Sequence, residues 1–488
     1  MLKVMPYRAS LININGNDPF MNNVVSLMEF DAAPLADVVS GNTWSLNGAA
    51  VDNVTKKFGV GSGFFQSTVG ALANNPLFAL NGTDFTLDFF CYTSSSSPTD
   101  RYIFDNGSNN TFLLAVRGGN SIQMLVGSTW YSMGITLPLN TWFHLAVCRF
   151  NGTLYAFLDG VLKYTHPSAF TSNISSSNNI RIGGTGAGAG YAFNGYIDEF
   201  RFTKGVARYL SSFPIVSNAF DKNPNSNIDG SYSYTTALLH GTGVNGGTTF
   251  TDVKGHILTR VGNTSLLTTS TENPRFSGAS CLKFNQTTAP IQPTGLQFSS
   301  PSDFILTGDF TIEAWVCLKS FANSATVCDN IIWSTGKPSG SDATYDMRFE
   351  IGGDGTYKGR VSLRSLSTGY VALGSTVLAE NVWYHVAICR VGTTCYVFVN
   401  GNLDGTGTSS AQWGHATNTV YLGMTAYDAN TRFSGYMADF RITKGRSRYV
   451  RNFTPNINLM PEYPLGTVTA WQNLTKPAAG GIGNGHQV

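Results

Sequence analysis

Two histidines in matched settings and a small set of acids are the residues that could do chemistry here. His144 lies in Trp142-Phe-His-Leu-Ala-Val-Cys-Arg and His385 in Trp383-Tyr-His-Val-Ala-Ile-Cys-Arg. A catalytic histidine needs a nucleophile within reach and a third group to orient it. On an extended strand both share their face with Ala and Cys, so they read as satisfied sheet histidines. No Gly-x-Ser-x-Gly elbow presents a serine nucleophile. Glycoside hydrolysis needs two carboxylates about 5–5.5 Å apart for a retaining mechanism. The glutamates are Glu29, Glu199, Glu272, Glu313, Glu350, Glu380 and Glu462; only Glu29 has an aspartate two residues on, Asp31, and no glutamate follows three residues later, where Pro34 stands. Asp198-Glu199 joins two acids, but consecutive strand residues face opposite sides. Glu199 with Arg201 and Asp439 with Arg441, spaced i and i+2, read instead as structural ion pairs. Gly241-Thr-Gly-Val-Asn-Gly246 satisfies GxGxxG. A phosphate-binding turn of that kind opens a helix, whereas Gly247-Thr-Thr-Phe-Thr-Asp252 is strand-like, so this is a loop.

Binding residues are more plausible than catalytic ones. A sugar packs its C–H face on an aromatic ring while its hydroxyls hydrogen-bond to polar neighbours. Trp130-Tyr131, Tyr191 beside the Gly-rich stretch 183–190, Trp413 between Gln412 and His415, and Tyr427 fit that pattern. Calcium wants six to eight oxygen ligands, often aspartates in loops. Asp354, Asp404 and Asp428 sit in suitable loops without EF-hand spacing, and no other cofactor is expected.

The elements that must position these residues are strands. Charged residues are 12% of the 488, half the usual share of about 25%, and Gly contributes 53. A helical protein carries more Glu, Lys and Arg on its exposed faces; this chain suits short strands with Gly, Asn and Ser turns. The net charge of +2 does not suggest a nucleic-acid partner. The basic run Lys444-Gly-Arg446-Ser-Arg448 with Arg451 reads as a solvated or salt-bridged loop. Seven cysteines without a CxxC form neither a disulfide framework nor a zinc site. Cys148 and Cys389, inside apolar strand patterns, read as small buried hydrophobes. No signal peptide or apolar run of about 18 residues is expected, which points to folding in a reducing cytosol and no membrane insertion.

Self-similarity organises the chain. Trp142-Phe-His-Leu-Ala-Val-Cys-Arg-Phe-Asn-Gly and its continuation to Asp159-Gly160 recur from Trp383 to Asn400-Gly401. Phe193-Asn-Gly-Tyr-Ile-Asp-Glu-Phe-Arg-Phe-Thr-Lys-Gly recurs from Phe433, and Asp84-Phe-Thr-Leu-Asp recurs as Asp309-Phe-Thr-Ile-Glu. Segments in the same order at nearly constant offset mean a duplicated domain. Phe143, Leu145 and Val147 share one strand face, His144, Ala146 and Cys148 the other, and the second copy repeats this with Tyr384, Val386 and Ile388. Asn151-Gly152, Asp159-Gly160 and Asn400-Gly401 are hairpin turns. The expected organisation is an arm over 1–17, a first domain over 18–215, a linker over 216–233, a second domain over 234–455 and a tail or docking arm over 456–488.

Leu238-Leu-His, Thr249-Phe-Thr-Asp252, Phe276-Ser-Gly-Ala-Ser280, Gly308-Asp-Phe-Thr-Ile-Glu313, Trp383-Tyr-His-Val-Ala and Gly435-Tyr-Met-Ala-Asp-Phe-Arg-Ile442 stand in that order. Asp18-Pro-Phe and Leu27-Met-Glu-Phe-Asp31 precede the matching segments of copy one. In these motifs the sequence resembles the concanavalin A-like lectin/glucanase superfamily in its laminin G-like branch, over about nine-tenths of the chain. The resemblance implies an all-β fold, two tandem antiparallel β-sandwiches or jelly rolls. The glucanase branch carries its acids as Glu-x-Asp-x-x-Glu, a run this sequence lacks. The tandem wording is similar to that of bacteriophage structural proteins. It implies a non-enzymatic virion component (tail-associated adhesin, fibre component or capsid decoration), assembled in the host cytoplasm. Its expected partners are other virion proteins, further copies of itself, and a host-surface glycan. A free lectin is the main alternative, and a glycoside hydrolase the third.

Overall fold

The computed structural model describes residues 18, 20–39, 42–80, 82–95, 100–106, 112–126, 129–166, 179–215, 218–222, 231–285, 293–320, 329–336, 346–353, 355–365, 367–425 and 431–460. The arm over 1–17 and most of the tail lie outside them. Alternating apolar residues with turn-forming pairs between them produce antiparallel strands, and each copy stacks two such layers.

In copy one the front sheet runs Val161–Thr165, Thr153–Leu158, Phe143–Phe150, Phe85–Tyr92, Gly195–Lys204, Ser62–Phe65, Ala50–Asp52, with Val24–Met28 also on Gly195–Lys204. The back sheet runs Thr129–Thr136, Ser121–Val126, Phe112–Arg117, Arg101–Asp105, Asn179–Ile182, Ala71–Asn74, Trp44–Ser45. Copy two repeats both layers. There a single bridge, Ala372 opposite Gly407, links the Gly369–Val377 and Asn402–Thr408 edges into one 15-stranded sheet.

The predicted face assignment holds. Phe143, Leu145 and Val147 enter the core between the sheets, while Ala146 and Cys148 join a second cluster with Phe157 and Phe213 on the outer side. Cys148 meets Thr86 Oγ1 at 3.3 Å and Cys389 meets Thr311 Oγ1 at 3.2 Å, and burial pushes both thiols up to about 12. The turns are also as expected. Asn151, Asp159 and Asn400 have φ of 46°, 47° and 50°, each followed by a positive-φ glycine. Gly160 and Gly401 have a second duty. The chain returning after each front sheet crosses them, with Phe213 N–H donating to Gly160 O and Phe453 N–H to Gly401 O, both at 2.8 Å. A Cβ on either glycine would run into the carbonyl oxygen of Phe213 or Phe453.

The two copies are docked. Asn23 Nδ2 donates to Ser447 O at 3.1 Å. Arg451 donates to the carbonyls of Val24 at 2.5 Å and Met21 at 2.7 Å, and Arg446 lies over the Phe20 ring at 5.4 Å. Ala387, Cys389, Phe398 and Val450 belong to the same apolar cluster as the core of copy one. The basic run expected to be solvated or salt-bridged is in part buried: Arg446, over Phe20, and Arg451 sit against copy one, while Arg448, 8% exposed, pairs with Glu313 of its own copy at 3.7 Å.

Candidate functional site

Both matched histidines find an acid, contrary to the expectation from their own strand. The acid comes from the neighbouring strand, Asp88 on Phe85–Tyr92 and Glu313 on Phe310–Leu318. His144 Nε2 lies 3.7 Å from Asp88 Oδ2, and His385 Nε2 3.1 Å from Glu313 Oε2. Tyr209 donates to Asp88 at 2.9 Å and Tyr449 to Glu313 at 2.7 Å. Arg201 and Arg441 close each group, at 2.6 Å and 2.7 Å, and in copy one Asp18 joins by pairing with Arg201 and Arg208. Burial alone would raise both acids, but Arg201 holds Asp88, and Arg441 with His385 holds Glu313, well below the usual carboxylate range. Apart from the half-buried Tyr209 the members are at most 8% exposed, and among the described residues no serine or cysteine bonds to either histidine. These are structural networks that tie three strands and the returning chain together.

Arg201 thus pairs with Asp88 and Asp18, and Glu199 makes no ion pair with it, which corrects the i, i+2 reading. The strand is bulged at Asp198-Glu199 and again at Ala438-Asp439, where Glu199 and Asp439 each have φ of 51°. The bulge rotates the second acid away from the arginine two residues on. Glu199 Oε2 instead accepts the N–H of Phe220 at 2.7 Å, and Asp439 Oδ2 accepts that of Met460 at 2.8 Å. Asp439 also pairs with His240.

Burial, then Asp198 and Glu29, push Glu199 up to about 8. Its folded value stands above the unfolded value of about 4.3, so folding favours the protonated form. That contribution is present below about pH 4.3 and is lost as pH rises towards 8. Unfolding midpoints in urea should therefore fall between pH 5 and 8 with a slope of up to about 1.4 kcal/mol per pH unit from this one proton. Glu199→Gln should flatten the fall; an unchanged profile in the variant would refute the assignment.

The back-sheet faces turned away from the core carry the groups that meet solvent. In copy one Arg117, the last residue of Phe112–Arg117, pairs with Asp100 at 2.8 Å and lays its guanidinium over the Trp130 ring at 4.1 Å. Tyr102 bridges Trp130 and Tyr191, with centroids at 6.2 Å and 5.8 Å, and Tyr191 is 41% exposed. Copy two builds the same group from different residues. Arg364 pairs with Asp329 at 3.3 Å and lies over Tyr370 at 5.2 Å, and Tyr370 packs on Tyr357 at 4.4 Å. Asp100 and Asp329 immediately precede the equivalent strands Arg101–Asp105 and Asn330–Thr335, and Trp130 and Tyr370 hold the second positions of Thr129–Thr136 and Gly369–Val377. Arg364 also reaches Glu350 at 3.5 Å. Burial, and then Asp329, push Glu350 up to about 8.

Of the aromatic candidates, Trp130 and Tyr191 come together on this face. Tyr131 points the other way, packed on the core and on His166 at 4.7 Å. Trp413 is corrected outright: it is 1% exposed, bridged through its backbone to Leu306 and set against Phe310 and the Arg390 guanidinium. Its polar sequence neighbours concealed a core residue. Tyr427, Asp354 and Asp428 lie outside the described residues. Asp404 accepts hydrogen bonds from Ser375 Oγ at 2.9 Å and Thr376 Oγ1 at 2.6 Å. Among the described residues no three His, Cys, Asp or Glu are gathered to hold a metal. Sequence reasoning missed Asp100, Tyr102, Arg117, Asp329, Tyr357, Arg364 and Tyr370. Aligning the two copies strand by strand shows an aromatic at the second position of the equivalent strands, Trp130 of Thr129–Thr136 and Tyr370 of Gly369–Val377.

No curated protein sequence matches this chain. Among solved structures, domain 4 of AbnA, a GH43 extracellular arabinanase from Geobacillus stearothermophilus, in complex with arabinotriose, is 19% identical; the match covers 38% of this chain and 94% of that one, with a TM-score of 0.30. The botulinum neurotoxin serotype D ligand binding domain in complex with N-acetylneuraminic acid is 13% identical over 86% and 96%, with a TM-score of 0.31. Domains LG4-5 of the mouse laminin alpha1 chain are 11% identical over 96% and 100%, with a TM-score of 0.22. A family model described as the concanavalin A-like lectin/glucanases superfamily matches residues 66–207 and 293–447. One match falls in each sandwich and together they span more than half of the sequence: the chain belongs to the concanavalin A-like lectin/glucanase superfamily, in two tandem copies.

Proposed function

We propose that this protein is a non-enzymatic attachment module that binds glycans on the back-sheet face of each copy. The observation that carries the reading is the recurrence of one arrangement, built from unlike residues. In each copy an arginine is fixed by an aspartate and laid on a half-buried ring, with a second exposed tyrosine beside it. The ring edges and tyrosines offer a C–H-packing surface, and the ion pair offers oriented charged donors and acceptors to sugar hydroxyls. Glu350 has the raised value of a general acid, but it is fully buried and Arg364 stands between it and Asp329, which favours binding over hydrolysis. The resemblance to tandem domains of bacteriophage structural proteins supports a place in a virion, as a tail adhesin, fibre component or decoration.

A glycan array with the full chain tests the binding reading. Trp130→Ala and Tyr370→Ala should each weaken the strongest signal by about tenfold or more, the loss of about 1.4 kcal/mol. Trp413→Ala serves as a folding control, because it removes core packing and not a contact ring. No sugar signal, or a signal indifferent to both ring deletions, would overturn the reading. Immunogold labelling of purified particles tests the virion role: bare particles count against it.

A further inference from the structure

Lys204 and Lys444 end the equivalent strands Gly195–Lys204 and Gly435–Lys444, opposite Phe85 and Phe310. Their surroundings differ. Lys444 donates its ammonium to Asp303 O at 3.0 Å near the surface. Lys204 is 3% exposed because copy two is docked over it. Among the described residues its ammonium has no hydrogen-bond acceptor and no ion-pair partner. It faces a cleft of about 480 Å³ between the two copies.

No acid lines that cleft among the described residues. Arg451 adds a second cation, fixed by its bonds to Val24 O and Met21 O. The remaining walls alternate between Leu77, Leu403 and Val450 on one hand and the hydroxyls of Thr394 and Thr406 on the other. Burial of the side chain disfavours its charged form, and an anion arriving in the cleft beside it would favour that form. The mixed walls suit a polyhydroxylated ring better than a bare inorganic ion, which would leave the apolar residues wet.

We propose that the interdomain cleft binds a small acidic sugar, its carboxylate on the Lys204 ammonium and its hydroxyls and C–H faces on the threonine and leucine walls. This site is separate from the back-sheet faces and does not rest on them. Burial lowers Lys204 to about 8, with Asp309 opposing. Burial also raises Tyr396, which lines the cleft, to about 12, so the tyrosine stays neutral while the lysine titrates.

Isothermal titration calorimetry of the full chain at pH 7, with glucuronate, glucose and inorganic phosphate as separate probes, tests this. Glucuronate should bind with millimolar or tighter affinity, and glucose, its neutral counterpart, about tenfold or more weaker. Lys204→Met should lose glucuronate binding by about tenfold or more, whereas Lys444→Met and Trp130→Ala should retain it. Replacing an unpaired buried ammonium with an apolar chain of similar length should leave the thermal midpoint equal or raised. If that variant does not fold, the parent in two buffers of unlike ionisation enthalpy at pH 8 gives the second readout. Binding should then take up protons, because an anion restores the lysine charge. Retention of binding in Lys204→Met, equal affinity for glucose, binding of phosphate without glucuronate, or no proton uptake would each overturn the proposal.

Discussion

Replacing Arg201 by methionine should destabilise copy one by about 3–5 kcal/mol at pH 7, because breaking one side of a buried ion pair strands the other. Arg201 is 5% exposed, bonds to Asp88 through Nε at 3.1 Å and Nη2 at 2.6 Å, and lies over the Phe220 ring at 3.7 Å. Its loss leaves Asp88, fully buried, with only His144 and Tyr209 for partners. Asp88 is depressed in the fold, so its contribution is present above the unfolded value of about 3.9 and is lost as pH falls further. The penalty of the variant should accordingly shrink towards about pH 3, where the stranded carboxyl accepts a proton. Equilibrium unfolding in urea at the two pH values measures this. A variant within about 1 kcal/mol of the parent at pH 7 would show that the network is ornamental.

Gly401→Ala should cost about 3 kcal/mol, and Gly160→Ala a similar amount, for two summed reasons. The left-handed backbone at φ of 78° and 73° accounts for about 1 kcal/mol. The larger part arises because the new methyl displaces the returning chain. That chain carries Tyr449 stacked on Phe453 at 3.5 Å, and Tyr209 on Phe213 at 3.6 Å, and the tyrosines belong to the buried networks. Gly246 is the control: its φ is 77° but nothing lies within 4 Å of a Cβ there, so Gly246→Ala should cost only about 1 kcal/mol. Equal losses at Gly246 and Gly401 would refute the close-approach explanation.

The fold was legible because duplication doubles every signal. The pair Trp142 and Trp383, the Asn-Gly and Asp-Gly turns and the two-sided apolar strands all carry their information locally. What stayed hidden depends on which strand lies next to which. His144 could be placed on a face, but its acid is on a strand that ends some fifty positions earlier, and only the register of Phe143–Phe150 against Phe85–Tyr92 brings them together. The Arg117–Trp130–Asp100 group is drawn from separate strands and a loop of one sheet, so no spacing in the sequence announces it. Trp413 misled for the opposite reason: its neighbours Gln412 and His415 are polar, while a backbone bridge to Leu306 turns the ring inward. The bulges at Glu199 and Asp439 break strict alternation at the very residues where an i, i+2 ion pair had been read.

The docking of the two copies has a thermodynamic consequence for recognition. Arg451 clamped on Val24 and Met21, Asn23 on Ser447, and a shared apolar cluster hold one sandwich against the other. If the back-sheet faces bind glycan as proposed, two weak sites on such a frame do not search independently. Once the first engages, the second meets its target at an effective concentration set by the spacing of the ligand's own epitopes. A polysaccharide whose repeat matches that fixed span gains avidity, and one with the same sugars at another spacing gains none. Under that reading the chain would discriminate between surfaces by period, as a comb does, even where each tooth alone is indifferent.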